Sequence, residues 1–85
     1  MNKAALVEAA VRKTAEAGSR LPPDEVERVI DALFGTVEYA GAIAEGLKRG
    51  ETVTVIGFGD FHLDDAGPVL RPGHALHEYI KGSVS

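Results

Sequence analysis

The chain is predicted to adopt an α+β fold, with an N-terminal helical hairpin, a short antiparallel β-sheet and a C-terminal helix. Three observations predict it. Apolar residues recur at helical spacing through the first 47 residues, threonine and valine alternate over Thr52–Ile56, and Gly57-Phe58-Gly59 separates that stretch from Asp60-Phe-His-Leu63. At 85 residues and 45% hydrophobic content it suits one small soluble domain. Domains of this size bury only about 60–65% of the surface that their unfolded chains expose, so a partner subunit would add stability. The absence of cysteine excludes a disulfide framework and a cysteine-based zinc site.

The first helix is predicted over Lys3 to about Ala17. Leu6, Ala10, Val11 and Thr14 fall on one side, Glu8, Arg12 and Glu16 on the other, and Gly18-Ser19 ends it. Leu21-Pro22-Pro23-Asp24-Glu25 opens a second helix, because proline suits the first helical positions and acidic side chains suit the positive end of the helix dipole. Val26, Ile30, Leu33, Val37, Ala40, Ala44 and Leu47 follow at alternating spacings of four and three, which predicts a continuous apolar stripe about 22 residues long. A stripe of that length exceeds what one small monomer needs, so it predicts contact with a second chain; a long intramolecular hairpin is the alternative. Gly35, Gly41 and Gly46 inside this helix each cost about 0.5–1 kcal/mol relative to alanine, which points to close packing at those positions.

Gly50 stops the helix, Thr52–Ile56 forms a half-buried strand, and Asp60-Phe-His-Leu63 begins the returning strand. Asp64-Asp-Ala-Gly-Pro68 can close only a tight hairpin. Val69-Leu70 then leads through Arg71-Pro72-Gly73 into a last helix. The parts are residues 1–49 (helical), 50–71 (sheet) and 72–82 (C-terminal helix) of a single domain, 1–85.

Read together, Met1-Asn-Lys-Ala-Ala-Leu-Val-Glu8, the helix end Leu47-Lys-Arg-Gly50, Ile56-Gly-Phe-Gly-Asp-Phe61 and Pro72-Gly-His-Ala-Leu-His-Glu-Tyr-Ile-Lys81 resemble the HU/IHF family of bacterial nucleoid DNA-binding proteins. The resemblance spans nearly the whole chain, and its most specific element is the Gly-Phe-Gly-x-Phe turn directly after the helix end. It implies an intertwined homodimer whose core holds Ile43, Leu47, Phe58, Phe61 and Leu70. It implies double-stranded DNA as the ligand, with Lys3, Arg71, Lys81 and the backbone of Gly57 and Gly59 as candidate phosphate contacts. His74 and His77 stand where the family often has lysine, and Lys48 and Arg49 are further candidate cations. A full-armed HU-type relative is a further partner that the resemblance allows. The segment before Gly41 is about ten residues longer than in the family.

Two departures bear on function. The family carries a long basic β-ribbon between the second strand and the last helix, tipped by a proline that wedges between base pairs; this chain lacks it, and Pro68 takes a turn or strand-entry role. The charge is also unusual for a duplex-gripping protein. Nine basic and 13 acidic residues give −4, with five basic against seven acidic over residues 1–40 and four against six over 41–85. Asp60 adds an acid inside the aromatic turn, and the two histidines make conditional a charge that lysine supplies permanently.

The expected function is therefore a non-enzymatic, dimeric, nucleoid-associated DNA-binding protein that holds phosphates weakly and without sequence specificity from its body. The alternative is a dimeric protein-interaction or regulatory module that no longer binds DNA. No catalytic group is expected, since Ser19, Ser83 and Ser85 have no histidine partner set by spacing. His74 and His77 with Glu78, Asp64 and Asp65 do not reproduce the His-Glu-x-x-His spacing, so no metal or other cofactor is expected. A cytoplasmic location is expected, with no membrane contact and no small-molecule substrate: no apolar run approaches about 18 residues.

Overall fold

The computed structural model describes residues 1–82; Ser83 and Ser85, named above as hydroxyl groups, lie outside the described residues. The chain forms two compact units, Met1–Ala42 and the part from Ile43 onward.

In the first unit, α1 (Lys3–Glu16) starts on Asn2, whose side chain accepts the Ala5 N–H at 2.9 Å. It buries Val7 and Val11. Thr14 closes the following connection, its hydroxyl donating to the Val11 carbonyl at 2.9 Å and accepting the Leu21 N–H at 3.2 Å. The expected proline entry then opens α2 (Pro23–Phe34), with Pro22 at the cap, Pro23 in the first turn, and Asp24 and Glu25 at the positive end. The two helices pack through Val7, Val11 and Val26, with Ala10 and Ile30 against them. At about 1.5 kcal/mol for each buried valine this is a thin core.

The predicted uninterrupted second helix is corrected here: it is two helices. α2 stops at Phe34, and α3 (Ala42–Lys48) starts eight residues later. Gly35 turns the chain away with φ of 85°, its N–H still bonded to the Asp31 carbonyl at 2.8 Å. The chain then returns so tightly that Gly35 pairs with Ala40 and its backbone touches that of Gly41. A Cβ on Gly35 would lie 2.6 Å from the Gly41 amide, so neither position admits a side chain without displacing backbone. The glycines thus mark a loop closing on itself, and the close approach inferred for 35 and 41 is between backbone segments of one unit. Gly46 does pack against a strand, since a Cβ there would meet Val53 at 3.0 Å.

In the second unit, β1 (Val53–Val55), β2 (Gly59–Asp64) and β3 (Gly67–Pro72) form an antiparallel sheet in the order β1-β2-β3, followed by α4 (His74–Lys81). β1 is shorter than predicted. The Val55 carbonyl accepts the Phe58 N–H at 2.9 Å, which turns the chain and leaves Ile56 exposed outside the strand. Phe61 lies opposite Val53 on one side and Leu70 on the other, which places these three on one face; Asp60 opposite Thr54 and Arg71, and His62 opposite Val69, occupy the other. The β2–β3 turn is only Asp65-Ala66, with the Asp64 carboxylate accepting the Ala66 N–H at 2.8 Å. Pro68 sits within β3, paired with Leu63. β3 is an edge strand, where the missing N–H of Pro68 and Pro72 is tolerated and discourages further pairing.

Candidate nucleic-acid interface

The Gly57–Gly59 turn, the end of β3 at Arg71 and the start of α4 at Gly73 meet at one corner of the second unit. The Gly57-Phe58-Gly59 turn is fastened to the start of α4 by the Gly73 N–H, which donates to the Phe58 carbonyl at 2.7 Å. Gly57 adopts φ of 88°, in the region open mainly to glycine. Gly59 is buried against β3: a Cβ there would fall 2.5 Å from the Arg71 carbonyl and 3.2 Å from the Gly73 amide. Only a glycine lets the turn, the end of β3 and the helix entry meet this closely. Gly73 caps α4 through its backbone with no side-chain hydrogen bond, so the first-turn N–H groups of α4 have no side-chain cap.

Arg71 near the end of β3 and His74 at the start of α4 flank this corner, while His77 and Lys81 follow along α4, with Lys81 at its far end. The last three follow a spacing of three and four and so share a helix face, and all are exposed. Two acids compete for these cations. Arg71 Nη2 lies 3.9 Å from the Asp60 carboxylate directly across the β2–β3 ladder, and His74 Nε2 lies 3.8 Å from Glu78 Oε1. Both contacts are long and join an exposed base to a half-buried acid, and a surface ion pair of this kind contributes about 0–1 kcal/mol. Asp60, noted in the sequence only as an unwelcome acid in the turn, is thus specifically the neighbour of Arg71. Lys48 and Lys81 have no ion pair among the described residues, whereas Arg49 Nε is held by Glu51 at 2.7 Å. That hydrogen bond raises the Arg49 pKa and lowers that of Glu51.

Lys3 belongs to the other unit. Its ammonium is bound by Asp31 at 2.9 Å and faces Glu27 at 3.7 Å, and the hydrogen bond to Asp31 raises its pKa. Sequence reading missed both partners because they lie a whole helix away. It also passed over the third histidine: Nδ1 of His62, on β2, is a buried side-chain nitrogen with no hydrogen-bond partner. Its place beside Asp60 and Asp64 on the face opposite Phe61 follows from strand alternation. Among the described residues no cluster of three or more His, Cys, Asp or Glu side chains could hold a metal ion.

The residues assigned to a dimer core divide by exposure. Leu47 is buried, Ile43 and Phe61 are half-buried, and Phe58 and Leu70 are about 40% exposed. The Phe58 and Phe61 rings stack with centroids 6.5 Å apart and 25° between planes. Leu63, Ile56 and Ile80 are exposed as well, leaving Leu47 as the only large apolar side chain of the second unit fully shielded among the described residues.

No protein-family model and no curated protein matches the chain. Solved structures do match. A mutant of HU from Thermotoga maritima superposes with a TM-score of 0.74 at 30% identity, covering 94% of this chain and 99% of that one. HU from Thermotoga maritima gives 0.70 at 31% identity, covering 94% and 98%. Anabaena HU in an HU–DNA cocrystal gives 0.72 at 21% identity, covering 94% and 97%, a likeness of fold.

Proposed function

The chain belongs to the HU family, and on that premise we propose that it is a non-enzymatic, dimeric architectural DNA-binding protein of the bacterial nucleoid whose β-ribbon arm is reduced to a two-residue turn. The observation that carries this reading is the match to HU along 94% of the chain; a DNA cocrystal of Anabaena HU, alike in fold, adds support. The exposed Gly57 and the uncapped first turn of α4 offer backbone amides, the Phe58 and Gly73 N–H groups being taken by the Val55 and Phe58 carbonyls, and Arg71, His74, His77 and Lys81 are the basic side chains of the reading. Phosphates are met by a handful of contacts from the body, without base reading, so affinity is low and salt-sensitive.

The exposed set Phe58, Leu63, Leu70, Ile56 and Ile80 supports a homodimer, since a single small chain seldom leaves so much apolar surface wet. Among the described residues no helix is long and apolar enough to cross a membrane. Fluorescence anisotropy with a labelled duplex at about 50 mM salt tests the proposal. Binding that competitor DNA of unrelated sequence reverses supports it. No binding at that salt would transfer the assignment to a protein-interaction module built on the same fold.

A further inference from the structure

The two edges of the sheet are chemically unlike. β3 carries Pro68 and Pro72, neither of which has an N–H to offer a further strand. The opposite edge, β1, lies in the run Thr52-Val53-Thr54-Val55-Ile56, which has no proline and no charge, and all five side chains are branched at Cβ, the type that favours extended chain. Proteins ordinarily protect an edge with lysine, proline or a bulge, and shortness is the one such device that β1 has. Backbone direction decides what this edge offers. The Val55 carbonyl points to the β2 side, where it accepts the Phe58 N–H at 2.9 Å, and successive residues of an antiparallel strand turn their polar groups to opposite sides. Thr54, an exposed residue, therefore directs its N–H and C=O away from β2.

We propose that β1 is a strand-addition edge that pairs antiparallel with β1 of a second copy, Thr54 facing the partner's Thr54 across a two-fold axis, so that two three-stranded sheets become one sheet of six strands. The strand is its own complement. In that register Val53 meets the partner's Val55, branched side chain against branched side chain, and the two threonines exchange both N–H···O bonds. Glu51, already bonded to Arg49 at 2.7 Å, comes opposite the partner's Gly57. Asp60 lies one strand in from Thr54, so the two copies of this acid stand three strand spacings apart, about 14 Å, beyond the screening length of about 8 Å at physiological salt. No like charges oppose each other. Nucleic acid, by contrast, finds no cation along residues 52–56. The contact is separate from the homodimer of the proposed function, which uses the apolar set around Phe58, Phe61 and Leu70, and it does not depend on DNA binding. A dimer bears two such edges, so pairing continues into an open row of dimers.

Sedimentation velocity of the full chain from about 10 μM to about 1 mM, with hydrogen exchange of the Thr54 amide over the same range, tests the edge. The wild-type chain passes beyond the dimer, and exchange at Thr54 slows on the order of 10-fold as it does so. Thr54→Pro removes the outward N–H, Thr54→Lys sets two like charges face to face, and each variant stops at the dimer with a wild-type circular dichroism spectrum. The lysine faces Asp60 within its own sheet and so keeps the fold even where proline disturbs it. A wild-type chain that stops at the dimer, with Thr54 exchange independent of concentration, would overturn the edge and leave the dimer standing. Assembly of Thr54→Lys equal to wild type would overturn it as well. A largest species of two chains that Thr54→Lys separates would keep the edge and remove the apolar-face dimer instead.

Discussion

Gly59 is where the aromatic turn, the end of β3 and the entry to α4 are pressed together, and Gly59→Ala therefore reads the packing of this corner through the sign of a stability change. The added Cβ would lie 2.5 Å from the Arg71 carbonyl oxygen, 3.1 Å from Leu70 Cδ1 and 3.2 Å from the Gly73 nitrogen. The leucine methyl can rotate away. The carbonyl and the amide cannot, because Arg71 is held in the β2–β3 ladder and the Gly73 N–H is bonded to the Phe58 carbonyl at 2.7 Å. Restoring an ordinary contact near 3.4 Å requires the strands to separate by about 0.9 Å at this point. Forcing atoms into a filled site costs about 1–3 kcal/mol. Gly59 has no positive φ, so alanine is conformationally allowed there and regains about 0.4–1 kcal/mol by restricting the unfolded chain. The net expectation is a loss of about 1–2 kcal/mol, or a melting temperature lower by about 4–15 °C for a chain of this size. Thermal and urea unfolding followed by circular dichroism at one fixed protein concentration measures it. An unchanged or raised melting temperature would mean that the corner is open and that the packing described around the turn is wrong.

Phe61→Ala should cost about 3 kcal/mol or more and shift the chain towards unfolded monomer rather than folded monomer, seen as a concentration-dependent melting temperature; a wild-type chain that sediments as a stable folded monomer at micromolar concentration would contradict the assembly behind this. Arg71→Glu combined with Lys81→Glu should abolish duplex binding at low salt with the circular dichroism spectrum unchanged, and retained affinity would remove the β3–α4 corner as the phosphate surface. Asp60→Asn deletes the acid facing Arg71 and should raise DNA affinity several-fold at low salt; a fall would show that Arg71 makes no phosphate contact.

Much of this architecture was legible because local chemistry and tertiary packing agree. The proline entry to α2, the glycine stop after Lys48, the turn at Gly57–Gly59 and the tight hairpin after Asp64 each follow from residues that act within a few positions of themselves. The break between α2 and α3 was hidden by coincidence of phase: Val37 and Ala40, which belong to the loop, fall at the spacing that continues the stripe from Leu33 to Ala44 and Leu47. The signal that contradicted the stripe was the pair Gly35 and Gly41, each costly inside a helix. The ion pairs were illegible for another reason. Lys3 meets Asp31 across 28 positions, and the Asp60–Arg71 pair depends on a hairpin register that the exact turn length decides. Composition correctly warned that cations are scarce, but which acid stands beside which cation is a property of the folded chain.

The central claim is that an HU-family body without its ribbon still holds duplex DNA through a small number of phosphate contacts, and the equilibrium affinity for a duplex of unrelated sequence as a function of salt tests it most directly. Two cations per protomer, Arg71 and Lys81, make about four contacts per dimer and a slope of log affinity on log salt near −3.6, a loss on the order of 100-fold between about 50 and 200 mM. A slope near that value is the predicted result. No detectable binding at the lowest salt, or a slope about twice as steep, would contradict it.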